Sequence, residues 1–122
     1  MANHPIVHIE IAANDLQAMK KFYGEAFGWT FQDYPDMNYV TFRSGEGQPG
    51  GGFNPVQDSF PAGTITFYIH TDDLSASVAR VEQLGGNVLE SGMEIPGVGT
   101  MAFFHDPTGN LIALLQPAEG GM

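Results

Sequence analysis

His8 and Glu10 stand two residues apart in the stretch I-V-H-I-E-I at 6–11, and an imidazole beside a carboxylate is a minimal unit of proton-transfer chemistry. In an extended segment, residues i and i+2 share one face and lie about 6 to 7 Å apart at the backbone. A carboxylate at that spacing can orient the ring and support it as a general base. The same two side chains can instead bind one metal ion, with water or substrate completing its shell. The plainer alternative is a polar pair on a wet sheet face, interacting weakly.

Other candidates fall at alternate positions in the same way. Tyr68 lies in F-Y-I-H, the second copy of the segment that holds Glu10. It reads as an acid or hydrogen-bond donor, or as an amphipathic wall residue. Tyr39, Thr41 and Arg43 alternate in N-Y-V-T-F-R, so all three face a binding site if Thr41 does, and all three are candidate substrate contacts. A guanidinium fork matches a carboxylate or phosphate; an exposed ion pair at the strand end is the other reading of Arg43. Thr66, Ala113, Met101 and Leu115 are further candidate substrate contacts, with Phe53, Phe60 and Phe103 as apolar walls or ordinary core. His70 and His105 sit beside Asp72 and Asp106 and read as local turn contacts, and His4 carries little information. The run G-E-G-Q-P-G at 45–50 matches the dinucleotide fingerprint formally. It lacks the following helix that would cradle a phosphate, so it reads as a flexible loop over a cleft mouth.

The elements that must position these residues are written twice. A shift of 58 positions carries Asp15-Leu16 onto Asp73-Leu74, Ala18 onto Ala76 and Gly28 onto Gly86. Residues 6–12 alternate Ile6, His8, Glu10 and Ala12 with Val7, Ile9 and Ile11. Residues 64–70 alternate Thr64, Thr66, Tyr68 and His70 with Ile65, Phe67 and Ile69. Each is a strand with one apolar and one polar face. Asn14 or Asp15 caps a helix over 15–27 with the stripe Leu16, Met19, Phe22, Tyr23, Ala26 and Phe27; Asp72 or Asp73 caps one over 73–84 with Leu74, Val78, Val81 and Leu84. Short strands are predicted at 29–34, 38–43 and 51–54, then at 87–90, 100–105 and 110–116, the last two flanking the turn D-P-T-G-N.

The fold class is therefore α+β: two βαβββ modules, about 5–55 and 62–117, in one domain spanning 1–122. Each helix must cover the apolar face of its module's first strand. That leaves His8, Glu10, Thr66 and Tyr68 on uncovered faces, which a pseudo-twofold pairing of the modules turns into a shared cleft in a curved sheet.

Composition narrows the partners. A hydrophobic content of 43% against 15% charged residues is that of a chain that buries a core. A net charge of −10 from only four Lys and Arg argues against nucleic acid and anionic membranes. With no cysteine, disulfides, thiolate metal sites and cysteine nucleophiles are excluded. The opening M-A-N-H-P-I-V has no basic start or apolar stretch of a signal peptide, so a cytoplasmic location is expected.

The stretch V-H-I-E-I-A-A-N-D-L-Q-A-M-K-K-F-Y-G-E-A-F-G-W at 7–29, the hairpin D-P-T-G-N-L-I-A-L at 106–114 and the doubled plan resemble the vicinal oxygen chelate superfamily. That superfamily includes glyoxalase I, extradiol dioxygenases and bleomycin-resistance proteins. The resemblance implies four metal-ligand positions, which fall on His8, near Thr41, on Thr66 and on Ala113. Alanine ligates nothing and a threonine hydroxyl suits zinc, nickel or iron poorly, so no cofactor follows firmly. A divalent metal on His8 and Glu10 remains the alternative. The resemblance further implies a small-molecule ligand, a homodimer and a glyoxalase-like lyase or isomerase that transfers a proton next to a carbonyl through His8, Glu10 and Tyr68. Its other implication is a non-catalytic protein that sequesters a small molecule, as bleomycin-resistance proteins do.

Overall fold

Alternation and capping place the first strand and helix. The computed structural model describes residues 4–47 and 49–118. Strand β1 (Ile6–Ala13) leads to helix α1 (Leu16–Phe27) through an extended Asp15, whose carboxylate accepts the backbone N–H groups of Gln17 and Ala18. Those are two of the donors that a first helical turn leaves open. Strand β2 (Thr30–Tyr34), a 3-10 turn at Pro35–Met37, β3 (Tyr39–Arg43) and β4 (Gly50–Pro55) follow.

These elements belong to a first unit, Val7–Thr66, with strand order β2-β3-β4-β1; β4 runs parallel to β1 and the other neighbours are antiparallel. Ala13, Val40, Phe42 and Phe53 are buried under α1, with Ile9, Ile11, Leu16, Met19, Tyr23, Trp29 and Phe31 packed around them. Trp29 stacks on both Tyr23 and Phe42 with ring centroids 4.7 Å apart. Lys20 donates to Asp33 at 2.7 Å, tying α1 to β2 and holding the Asp33 carboxyl below its ordinary range.

The second unit is built mainly from residues 67–118 and repeats the plan. Strand β5 (Ile65–His70) begins in the first unit and continues into the second. Helix α2 (Leu74–Gln83) is capped by Asp73, which accepts the N–H of Ala76. Strands β6 (Asn87–Ile95), β7 (Gly99–His105) and β8 (Leu111–Pro117) give the order β5-β8-β7-β6, with β8 parallel to β5. Leu74, Ala102, Phe104, Ile112 and Leu114 form its core, joined by Phe67, Ile69, Val78, Val81 and Val88.

The hairpin between β7 and β8 is closed by Asp106, whose Oδ1 accepts from the N–H groups of Thr108, Gly109 and Asn110 and whose Oδ2 accepts from the Asn110 side chain. Gly109 supplies the positive φ of 105° that this turn needs. The Asn110 side chain first, then its backbone N–H and those of Gly109 and Thr108, hold the Asp106 carboxyl below its ordinary value.

The structure adjusts four expectations. On α1 only Leu16, Met19 and Tyr23 reach the core, while Phe22 and Phe27 are 60% and 65% exposed. The predicted stripe was wider than the helix face that one small sheet can cover. Leu84 is the cap residue after α2 and is likewise exposed. Strand β6 extends well past residue 90, because register shifts on both sides of Ser91 break the alternation that marks a strand. Of the run at 45–50, Gly50 already belongs to β4, and the element that follows is that strand rather than a helix.

Candidate active site

The uncovered face of the first unit gathers the polar residues. Pairing of β1 with β4 sets His8 against Gly50, Glu10 against Gly52 and Ala12 against Asn54, and pairing of β4 with β3 sets Gly52 against Thr41. Side chains alternate across a sheet, so His8, Glu10, Asn54, Tyr39, Thr41 and Arg43 share the face opposite α1.

Three donors converge on Glu10. His8 Nε2 lies 2.5 Å from Glu10 Oε2, the Tyr39 hydroxyl donates to the same oxygen at 2.5 Å, and Asn54 Nδ2 donates to Oε1 at 3.1 Å. His8 Nε2 and the Tyr39 hydroxyl are themselves 3.1 Å apart. The Glu10 side chain is 5% accessible and that of His8 26%. A carboxylate taken from water must find compensating donors, and both oxygens of Glu10 have them. Read as an ionised carboxylate, Glu10 accepts a proton-bearing Nε2, a phenol and an amide, a set of charge-assisted bonds that fixes each donor. The carboxylate is the buried member of this set, while the imidazole, the phenol and the amide are each half-buried.

His8, Glu10 and Tyr39 are thus brought together, with Thr41 and the exposed Arg43 on the same face of β3. Thr66, on β5, is 1% exposed, and its hydroxyl has no hydrogen-bond partner among the described residues. Tyr68, Met101, Ala113 and Leu115 lie in the second unit. Tyr68 is set opposite Ala113, and Leu115 opposite both His70 and Met101. The Tyr68 ring packs edge-on against Phe103 at 6.2 Å. Phe53 is fully buried beneath α1, as core. His70 Nε2 and Asp72 approach to 3.8 Å, a local contact at the strand end.

Asn54 is the site residue that sequence reasoning missed. It stands in G-G-G-F-N-P, where glycines suggest loop. The available signal was that Asn54 follows Phe53, one polar step after one apolar step, in a stretch where a strand was already expected.

The four-ligand metal set implied by the resemblance does not fit these residues. Ala113 has no donor atom and Thr66 offers only a hydroxyl. The carboxylate beside His8 is occupied at both oxygens. Among the described residues, no three His, Asp or Glu side chains gather as they would to hold an ion.

Residues 5–114 match the model of the Glyoxalase/Bleomycin resistance protein/Dioxygenase superfamily, and the chain belongs to that superfamily. It is 35% identical over 113 residues to a glyoxylase-like domain-containing protein of Didymella fabae, covering 87% of this chain and 88% of that one. It is 31% identical over 114 residues to the putative glyoxylase CFP32 of Mycobacterium bovis, covering 88% of this chain but 44% of the relative. This chain thus spans less than half the length of several curated relatives that it matches. Among solved structures, methylmalonyl-CoA epimerase from Mycobacterium tuberculosis superposes with a TM-score of 0.70 at 19% identity, covering 93% of this chain and 87% of that one. At that identity the likeness is one of fold.

Neither described helix is long and apolar enough to cross a membrane.

Proposed function

We propose that the chain is a glyoxalase-like enzyme that moves a proton at the carbon next to a carbonyl of a small molecule, an isomerase or lyase reaction. The observation that carries this reading is the His8–Glu10 pair at 2.5 Å, with a buried carboxylate and a part-exposed ring. In this arrangement Glu10 fixes the imidazole and offsets the charge it gains on taking a proton, the part that a buried carboxylate plays beside a catalytic histidine. Tyr39 donates its hydroxyl to the same carboxylate oxygen, and with Asn54 on the other oxygen it fixes the carboxylate that holds the ring. Thr41 and Arg43 extend the face toward an acidic group on the substrate. The relatives whose names include glyoxylase support the class of chemistry; the substrate is a proposal at the level of a small carbonyl compound.

The test is solvent exchange. The protein, purified without chelator, is incubated in D2O with a panel of 2-hydroxy aldehydes, 2-oxoaldehyde thiohemiacetals and 2-substituted acyl thioesters, and deuterium at the carbon next to the carbonyl is read by NMR. Catalysed incorporation that disappears in His8→Ala is the expected result. Saturable binding of a panel member with no incorporation at any pH would replace this reading with sequestration.

A further inference from the structure

We propose that Gly52 is a positioning residue whose missing side chain opens the passage by which Tyr39 reaches Glu10. The inference rests on the proposed role of the His8–Glu10 site and names what holds it together. Strands β1 and β3 are not neighbours: β4 lies between them, and Gly52 is the residue of β4 set opposite both Glu10 and Thr41. Two interstrand spacings separate β1 from β3, about 10 Å, so the Tyr39 hydroxyl meets the Glu10 carboxylate only if the ring lies across β4.

The ring occupies that space. A Cβ added at Gly52 would come within 2.5 Å of Tyr39 Cε1 and nearer still to Cζ and the hydroxyl oxygen. Its three nearest atoms all belong to the tyrosine side chain and none to backbone. The adjacent glycines differ. A Cβ at Gly51 would run into the Ile9 carbonyl oxygen and the Phe42 ring, and one at Gly50 would meet the Phe42 carbonyl oxygen at 2.6 Å. Those two answer to strand packing. Gly52 has no positive φ, so its own backbone conformation does not call for glycine either. Glycine inside a strand weakens it, and a common reason for one is the close approach of another group.

The second unit supplies the contrast. The register that sets Glu10, Gly52 and Thr41 side by side sets Tyr68, Ala113 and Phe103 side by side there. The central position carries a methyl group, and the residue matching Tyr39, two before Phe103, is Met101. Where no phenol crosses, a Cβ is present.

The experiment compares Gly52→Ala, Tyr39→Phe and the pair Gly52→Ala/Tyr39→Phe by NMR of the Glu10 side-chain carboxyl carbon and the His8 ring nitrogens at one pH, with the fold monitored by circular dichroism. The expected result is that Gly52→Ala moves both sets of signals as Tyr39→Phe does, and that the pair shows no further change. Folded Gly52→Ala with signals superposable on the wild type overturns the proposal. If Gly52→Ala fails to fold, Gly52→Ala/Tyr39→Ala decides. Recovery of the fold on removing the ring supports the assignment, and continued failure assigns the glycine to backbone packing and overturns it. These signals need no substrate, so they separate the two claims. Deuterium exchange that persists while NMR shows the phenol displaced would mean that the reaction does not need the Tyr39 bond to Glu10, and would leave the positioning intact.

Discussion

Glu10 and Tyr68 occupy the same place in the two units. Each lies in the unit's first strand, opposite a small residue of the last strand, Gly52 or Ala113, which is itself opposite Thr41 or Phe103. Around Glu10 the face holds His8, Tyr39 and Asn54, all hydrogen-bonded to its carboxylate. The matching positions around Tyr68 are Thr66, Met101 and Leu115, and the Tyr68 ring packs edge-on against Phe103. The helix-covered faces are alike, apolar in both units. One scaffold thus accepts different residue sets on the face away from its helix, because the apolar face alone holds each sheet to its helix. Function is to be sought where the network is.

That contrast is open to direct attack. Leu115 and Asn54 hold the same register position in β8 and β4. Leu115→Ala, at a site 4% exposed, should cost about 2–5 kcal/mol, the transfer and cavity cost of a buried leucine. Asn54→Ala strips one donor from Glu10 and should cost about 1–3 kcal/mol, the penalty of leaving a buried acceptor unmet. Urea unfolding of both variants checks the order; a larger loss from Asn54→Ala than from Leu115→Ala would contradict it.

The loops that join the third and fourth strands of each unit differ too. The β7–β8 turn is tied by Asp106, whose lowered pKa makes its bonds a pH-dependent source of stability. They contribute in full above the unfolded value of 3.8 and are lost as pH falls through the lower folded value. Asn110→Ala should therefore lower the melting temperature slightly at neutral pH, and that difference should shrink as pH falls below 3.8. The smallest effect expected is for Arg43→Gln. Arg43 is exposed, so stability should stay within about 0.5 kcal/mol, while any turnover of a carboxylate-bearing substrate should show a raised KM with little change in kcat.

Most of this fold was legible in the chain because each unit announces itself through alternation, an acidic cap and a helical stripe. The division of Ile9 from His8 and Glu10 follows from period two alone. The boundary failed where that period fails, at the irregular register of β6 around Ser91; the strand expected at 51–54 runs Gly50–Pro55, though its glycines, lacking side chains, erase the pattern. The same erasure hid Asn54 and the reason for Gly52. A contact from β3 across β4 to β1 depends on three strands at once, and no local pattern reports it. Tyr39 was legible as a face residue but not as the partner of Glu10, for the same reason.

His8→Ala tests the central claim most directly, because it removes the part-exposed ring while Glu10 keeps Tyr39 and Asn54 as donors. Stability by urea unfolding should fall by no more than about 2 kcal/mol, and catalysed deuterium exchange next to the carbonyl should drop by a factor of at least about a hundred. A folded His8→Ala protein that exchanges at the wild-type rate would contradict the account, leaving the His8–Glu10 pair as a structural contact.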